Sequence, residues 1–135
     1  MYLLDTNVVS ELRRPRPHGG VLAWINSIPA AQLFLSAVSI GEIQIGIERT
    51  RRSDPEKARQ FEEWLDTLST TFQILAMAER EFLAWGKLVH RGPLHVHADA
   101  MIAATALVHG FTVATRNTAD FSGFGVGVVN PFEHR

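Results

Sequence analysis

The stretch YLLDTNVVSEL (residues 2–12) decides the architecture. Tyr2, Leu3 and Leu4 form a continuous apolar run closed by Asp5. A short unbroken apolar run of this kind reads as a strand buried on both faces. Thr6 and Asn7 then offer polar side chains able to cap a helix over residues 8–13, which Pro15 and Pro17 stop. The same strand-then-helix order recurs downstream. Residues 33–35 read as a strand, and the helix after it carries Ile40, Ile43 and Ile47 at core-face spacing. Residues 72–75 and 111–114 are further strands, and residues 127–129 a short last one.

Helices fill the intervals. Val21, Trp24, Ile25 and Ile28 mark one over residues 21–27, and Pro29 follows it. Ser53-Asp54-Pro55 opens another that runs to residue 68, striped by Phe61, Trp64, Leu65 and Leu68. Residues 78–90 carry Phe82, Trp85 and Val89 on one face, and Gly92-Pro93 ends them. Residues 97–109 form an alanine-rich helix stopped by Gly110. Alternating strands and helices, with apolar rather than alternating strands, give an α/β fold: a parallel sheet covered on both faces. The absence of repeats or linker-like tracts makes residues 1–135 one expected domain.

Composition removes whole classes of function. Thirteen basic against fourteen acidic residues leave a net charge of −1, so polyanion binding must come from local patches. Zero cysteines exclude disulfides, iron–sulfur clusters, thiolate zinc sites and a cysteine nucleophile. No apolar run approaches the roughly 20 residues needed to cross a bilayer. Asp5 interrupts the N-terminal apolar stretch and no basic residues precede it, unlike a signal peptide. A cytoplasmic protein without membrane contact is expected.

The acids fall where ligands bind. Asp5 ends the first strand, Glu42 lies in the first turn of the helix after the second, and Asp120 follows the fourth strand in TRNTADF. Loops after the strands of a parallel sheet share one edge, which is where such sheets bind ligands. Asp99 opens the alanine-rich helix, with no clear strand before it. Singly, each acid has an ordinary explanation as a cap, a first-turn charge or a turn-former. Together, four carboxylates without an interleaved cation repel one another and suit a hard divalent ion such as Mg²⁺ or Mn²⁺. That chemistry points to phosphoester hydrolysis by metal-activated water, with one acid orienting the water. Thr6, Thr115 and Asn117 stand beside the acids as supporting groups.

Four segments in order, LLDTNVVSEL, SAVSIGEIQIGI, DAMIAATALVHG and TRNTADF, give the chain a family resemblance, and the terminal GVGVVNPF adds to it. The chain resembles PIN-domain ribonucleases, specifically VapC-like (FitB-type) toxins of type II toxin–antitoxin systems. The resemblance implies a three-layer fold with a mainly parallel five-stranded sheet and metal-dependent endonuclease activity on RNA. It aligns Asp5, Glu42, Asp99 and Asp120 with the family's acidic quartet, Thr6 beside the first ligand, and Thr115 and Asn117 in support. It also implies a cognate antitoxin whose C-terminal segment covers the site, and a homodimer.

Other signals weigh less. His95, His97 and Asp99 spell the start of a zinc metallohydrolase motif, but Ala100 stands where a further ligand is needed. Asp5-Thr6-Asn7 looks like the opening of an aspartyl-phosphate phosphatase, with Asn7 in place of its second aspartate. Arg13, Arg14 and Arg16, and likewise Arg49, Arg51 and Arg52, read equally as helix-end cations or as phosphate contacts. Trp24, Trp64 and Trp85 read as core or dimer-interface residues. Gly41 and Gly46 flank Glu42, either to admit a neighbouring helix or incidentally. Asp5, Asp99 and Asp120 are the expected metal ligands, with Glu42 on a second ion or the attacking water. The alternatives are a non-catalytic module that docks a basic partner segment in the same acidic pocket, and a phosphohydrolase on another substrate.

Overall fold

The computed structural model describes residues 1–90 and 97–135. Five strands, β1 (Tyr2–Leu4), β2 (Leu33–Ser36), β3 (Gln73–Leu75), β4 (Thr112–Ala114) and β5 (Val128–Val129), form one sheet in the order β3-β2-β1-β4-β5. Every pairing is parallel. Leu3 lies opposite Phe34 on one side and Val113 on the other, which fixes the register at the centre of the sheet.

Helices α1 (Thr6–Glu11), α2 (Gly19–Ser27), α3 (Ala37–Arg51), α4 (Pro55–Thr71), α5 (Glu79–Val89), α6 (His97–His109) and α7 (Thr118–Ser122) cover the sheet. Alternation along each strand sorts the core into two clusters. Leu4, Leu33, Leu35 and Ala114 face α1 to α4, packing on Val8, Val21, Trp24, Ile43, Ile47 and Leu68. Leu3, Phe34 and Val113 face the other way, onto Ile102, Ala103 and Ala106 of α6 and Phe121 of α7. Strands this short are apolar on both faces because both faces are covered. Among the described residues, no helix is long and apolar enough to cross a membrane.

The expected strands are all present, the first with its expected ends and the others with one end shifted by a residue. The first helix differs more. It begins at Thr6, ends at Glu11, and is capped by Asp5 rather than by Thr6 or Asn7. The Asp5 N–H still donates to the Ala114 carbonyl at 2.9 Å, so Asp5 stays extended beside β4 while its side chain caps the helix. Trp24 is core, whereas Trp64 and Trp85 are half-buried.

Candidate active site

Asp5 sits at the C-terminal end of the central strand and is only 3% exposed. Its Oδ1 accepts from the Thr6 backbone N–H at 2.8 Å, and its Oδ2 accepts from the Thr115 hydroxyl at 2.8 Å. Thr115 is itself fully buried just beyond β4, and its Oγ1 accepts the Asn117 N–H at 2.9 Å. Two adjacent strand ends thus lock one carboxylate in place while leaving lone pairs on each oxygen.

Glu42 enters from α3. Its Oε1 accepts from the Thr6 hydroxyl at 2.7 Å, and that hydroxyl is also 2.8 Å from the Ser39 Oγ. Thr6 has one proton to give, so it donates to the carboxylate and accepts from Ser39. Asp99, in the first turn of α6, completes the wall. Asp5, Thr6, Asn7, Ser10, Glu42, Asp99 and Asn117 line a single open cleft of about 290 Å³.

No cation neutralises this group: among the described residues, Asp5, Glu42, Asp99 and Asp120 take part in none of the salt bridges. Burial pushes the Asp5 carboxyl up to about 6; the Thr115 and Thr6 hydrogen bonds oppose that rise, and the charges of Asp99 and Glu42 add to it. Asp99 is raised as well, first by burial and then by Glu42 and Asp120. Three carboxylates from β1, α3 and α6 therefore act on one another electrostatically.

Asp120 stands apart. It lies exposed in the first turn of α7 and does not line the cleft, reaching Asp99 only through its charge. Asn117 caps α7 by position but makes no side-chain cap. Sequence reading missed Ser39, Asn7 and Ser10. Ser39 is fully buried, one helical turn before Glu42 on the same face, a spacing that could have flagged it. Asn7 is held by accepting the Arg116 N–H at 3.3 Å, a long-range contact with no local signal.

The donor set is all oxygen, which fits a hard divalent ion and argues against zinc. Among the described residues, no three acid or histidine side chains are placed to hold a metal ion by themselves. Mg²⁺ meets that condition, because it keeps several waters and is usually held by one or two carboxylates together with substrate phosphates. His95 of the zinc-like motif lies outside the described residues, and His97 has its ring edge-on to Trp85 instead.

The arginine groups separate by partner. Arg14 pairs with Glu11, and Arg51 is bound by Glu48 and Glu62, so these neutralise helix acids. Arg13 instead lies over the Phe61 ring at 4.3 Å.

The PIN domain family matches residues 2–125. VapC ribonuclease Y4jK of Sinorhizobium fredii is 35% identical, over 98% of this chain and 99% of its own. Toxin FitB of Neisseria gonorrhoeae is 34% identical, again over 98% and 99%. The crystal structure of FitAcB from Neisseria gonorrhoeae matches with a TM-score of 0.86 at 34% identity, covering 98% of this chain and 99% of that one. A parallel five-stranded sheet carrying acids at its C-terminal edge, and full-length similarity to these proteins, lead to one conclusion: the chain belongs to the PIN-domain family.

Proposed function

We propose that this chain is a divalent-metal-dependent endoribonuclease and the toxin of a toxin–antitoxin pair. The observation that carries the reading is the uncompensated acidic cleft: a buried, doubly hydrogen-bonded Asp5 facing Glu42 and Asp99. Similarity along the whole chain to a relative named VapC ribonuclease and another named toxin FitB supports RNA as the substrate.

Asp5 and Asp99 would hold the ion, with Asp120 at the solvent margin. When bound, Mg²⁺ or Mn²⁺ supplies an acidified water and neutralises charge at the phosphorus and the leaving oxygen. The protein supplies position. Thr115 and the start of α1 fix Asp5, so its oxygens need no reorganisation when substrate arrives. Glu42 is assigned to the attacking water, since it lines the cleft and Thr6 engages only one of its oxygens. A cognate antitoxin would cover this cleft and the chain would dimerise, both on the family reading, and a cytoplasmic setting accords with the cysteine-free sequence.

The test is cleavage of single-stranded and looped RNA by the purified chain, freed of any partner. Cleavage requires Mg²⁺ or Mn²⁺, stops in EDTA, and is lost in Asp5→Asn and Asp99→Asn. Cleavage that persists in EDTA or in both variants overturns the mechanism. No cleavage of any RNA by the parent chain, with metal present, leaves the non-catalytic docking module.

A further inference from the structure

A second cleft, of about 230 Å³, opens beside the acidic one and shares Thr6, Ser10 and Glu42 with it. One wall is Thr6 and Ser10 of α1 and Arg13 just after it; the other is Glu42, Gly46 and Thr50 of α3. The spacing of four along α3 places those three residues in one line. Ile43 and Ile47 add an apolar surface, and Phe61 of α4 also lines the cleft. The middle residue of the α3 line is glycine, and a Cβ there would meet no atom within 4 Å. The cleft is open because position 46 carries no side chain.

The Phe61 end is cationic. The Arg13 guanidinium lies 4.3 Å and the Lys57 ammonium 5.6 Å from the centroid of the Phe61 ring. Among the described residues, neither takes part in a salt bridge, whereas Arg14, Arg51 and Arg59 all do. Both cations adjoin the Phe61 ring, and with no ion-pair partner among the described residues they favour an anion at this end of the cleft.

Carboxylates suited to a metal-bound phosphate, then hydroxyl groups and an apolar wall, then two free cations, repeat the order of a nucleic acid strand: phosphate, nucleoside, phosphate. We infer that this cleft binds the nucleoside next to the scissile phosphate, with the following phosphate on Arg13 and Lys57, and so selects the base beside the cut. The inference rests on the ribonuclease reading. A basic protein segment fits the cleft less well, because Arg13 and Lys57 repel it.

Gly46→Leu is the decisive variant: it fills the cleft from a helical position with open space, and leucine favours a helix more than glycine does. Binding of fluorescent oligo(A), oligo(C), oligo(G) and oligo(U) is measured by anisotropy with Ca²⁺ in place of Mg²⁺, intact oligonucleotide is confirmed on a gel, and folding is checked by circular dichroism. The parent binds with a ranked preference among the four. Gly46→Leu loses about tenfold or more in affinity and most of the ranking, since a stacked or enclosed base contributes that much. Arg13→Gln and Lys57→Gln weaken all four oligonucleotides alike, and each lowers the salt slope by about 0.7. Parental affinity and ranking in Gly46→Leu, or no binding by the parent, overturns the proposal and leaves the cleft to a protein partner. The two readings fail separately. Binding that depends on position 46 without metal-dependent cleavage sinks the nuclease; cleavage and binding that ignore position 46 sink the nucleoside site.

Discussion

Asp5 shows what burial does to a single carboxyl. Its ordinary value of 3.8 rises to about 6, chiefly because charge is costly beneath two strand ends. The sign for stability follows. Between about pH 4 and 6 the unfolded chain releases this proton while the folded chain keeps it, so stability falls with rising pH across that window. Above pH 6 the folded chain carries the full penalty, roughly 3 kcal/mol at 1.36 kcal/mol per unit. Asp5→Asn, compared with the parent by urea unfolding in EDTA, should gain about 1–3 kcal/mol at pH 7.5 and much less at pH 4. Equal loss at both values would contradict a charge penalty at this position. Thr115→Val removes the hydroxyl that steadies Asp5; it should cost about 1–2 kcal/mol and weaken Mn²⁺ binding, measured by calorimetry. Unchanged Mn²⁺ affinity would show that this hydrogen bond does not position the carboxylate.

Individual elements were legible where their pattern is local. The apolar runs that became β1 and β2, and the Ile43–Ile47 face of α3, needed only hydrophobic spacing. The start of α1 was not local. Asp5, Thr6 and Asn7 can each cap a helix, and the choice is made by the Asp5 N–H bonded to Ala114, more than a hundred residues away. Helix α7 spans five residues and was not foreseen, since so short a segment shows no periodicity. On α6 the packing is testable: Ile102 is fully buried against β1 and β4, so Ile102→Ala should cost about 2–5 kcal/mol in urea unfolding. Leu83 on α5 is 60% exposed, and Leu83→Ala should stay within about 0.5 kcal/mol of the parent for the monomer. A large loss from Leu83→Ala would reveal that this face is covered in solution.

At the scale of the molecule, the winding of the chain makes the site. Strand order β3-β2-β1-β4-β5 puts β1 at the centre, so Asp5 meets Thr115 from β4 on one side and, through Thr6, Glu42 from α3 on the other. The meeting of Asp5 and Glu42 could be anticipated from parallel topology, because both follow strands, whereas Asp99 follows none and Asp120, which does, stays outside the cleft. What could not be read was depth: Asp5 is buried, Asp99 half-buried and Asp120 exposed, and nothing adjacent in sequence distinguishes them. The second cleft was equally hidden. Gly46 lies four residues after Glu42, but its role as an opening depends on Phe61 and Arg13 arriving from other elements. A protein built around mutually repelling carboxylates should also be stabilised by their counterion. Mg²⁺ or Mn²⁺ at about a hundred times its dissociation constant should add about 2.7 kcal/mol to the stability, read as a rise in Tm.

The central claim is that β1, α3 and α6 gather carboxylates to hold a divalent cation, and calorimetric titration of Mn²⁺ into the metal-free chain tests it most directly. At pH 7.5 the parent should bind Mn²⁺ with an affinity that Asp5→Asn and Asp99→Asn each weaken about tenfold or more, and at pH 5.5 binding should release protons, because Asp5 is then largely neutral. No binding at millimolar Mn²⁺, or binding that both substitutions leave unchanged, would contradict it.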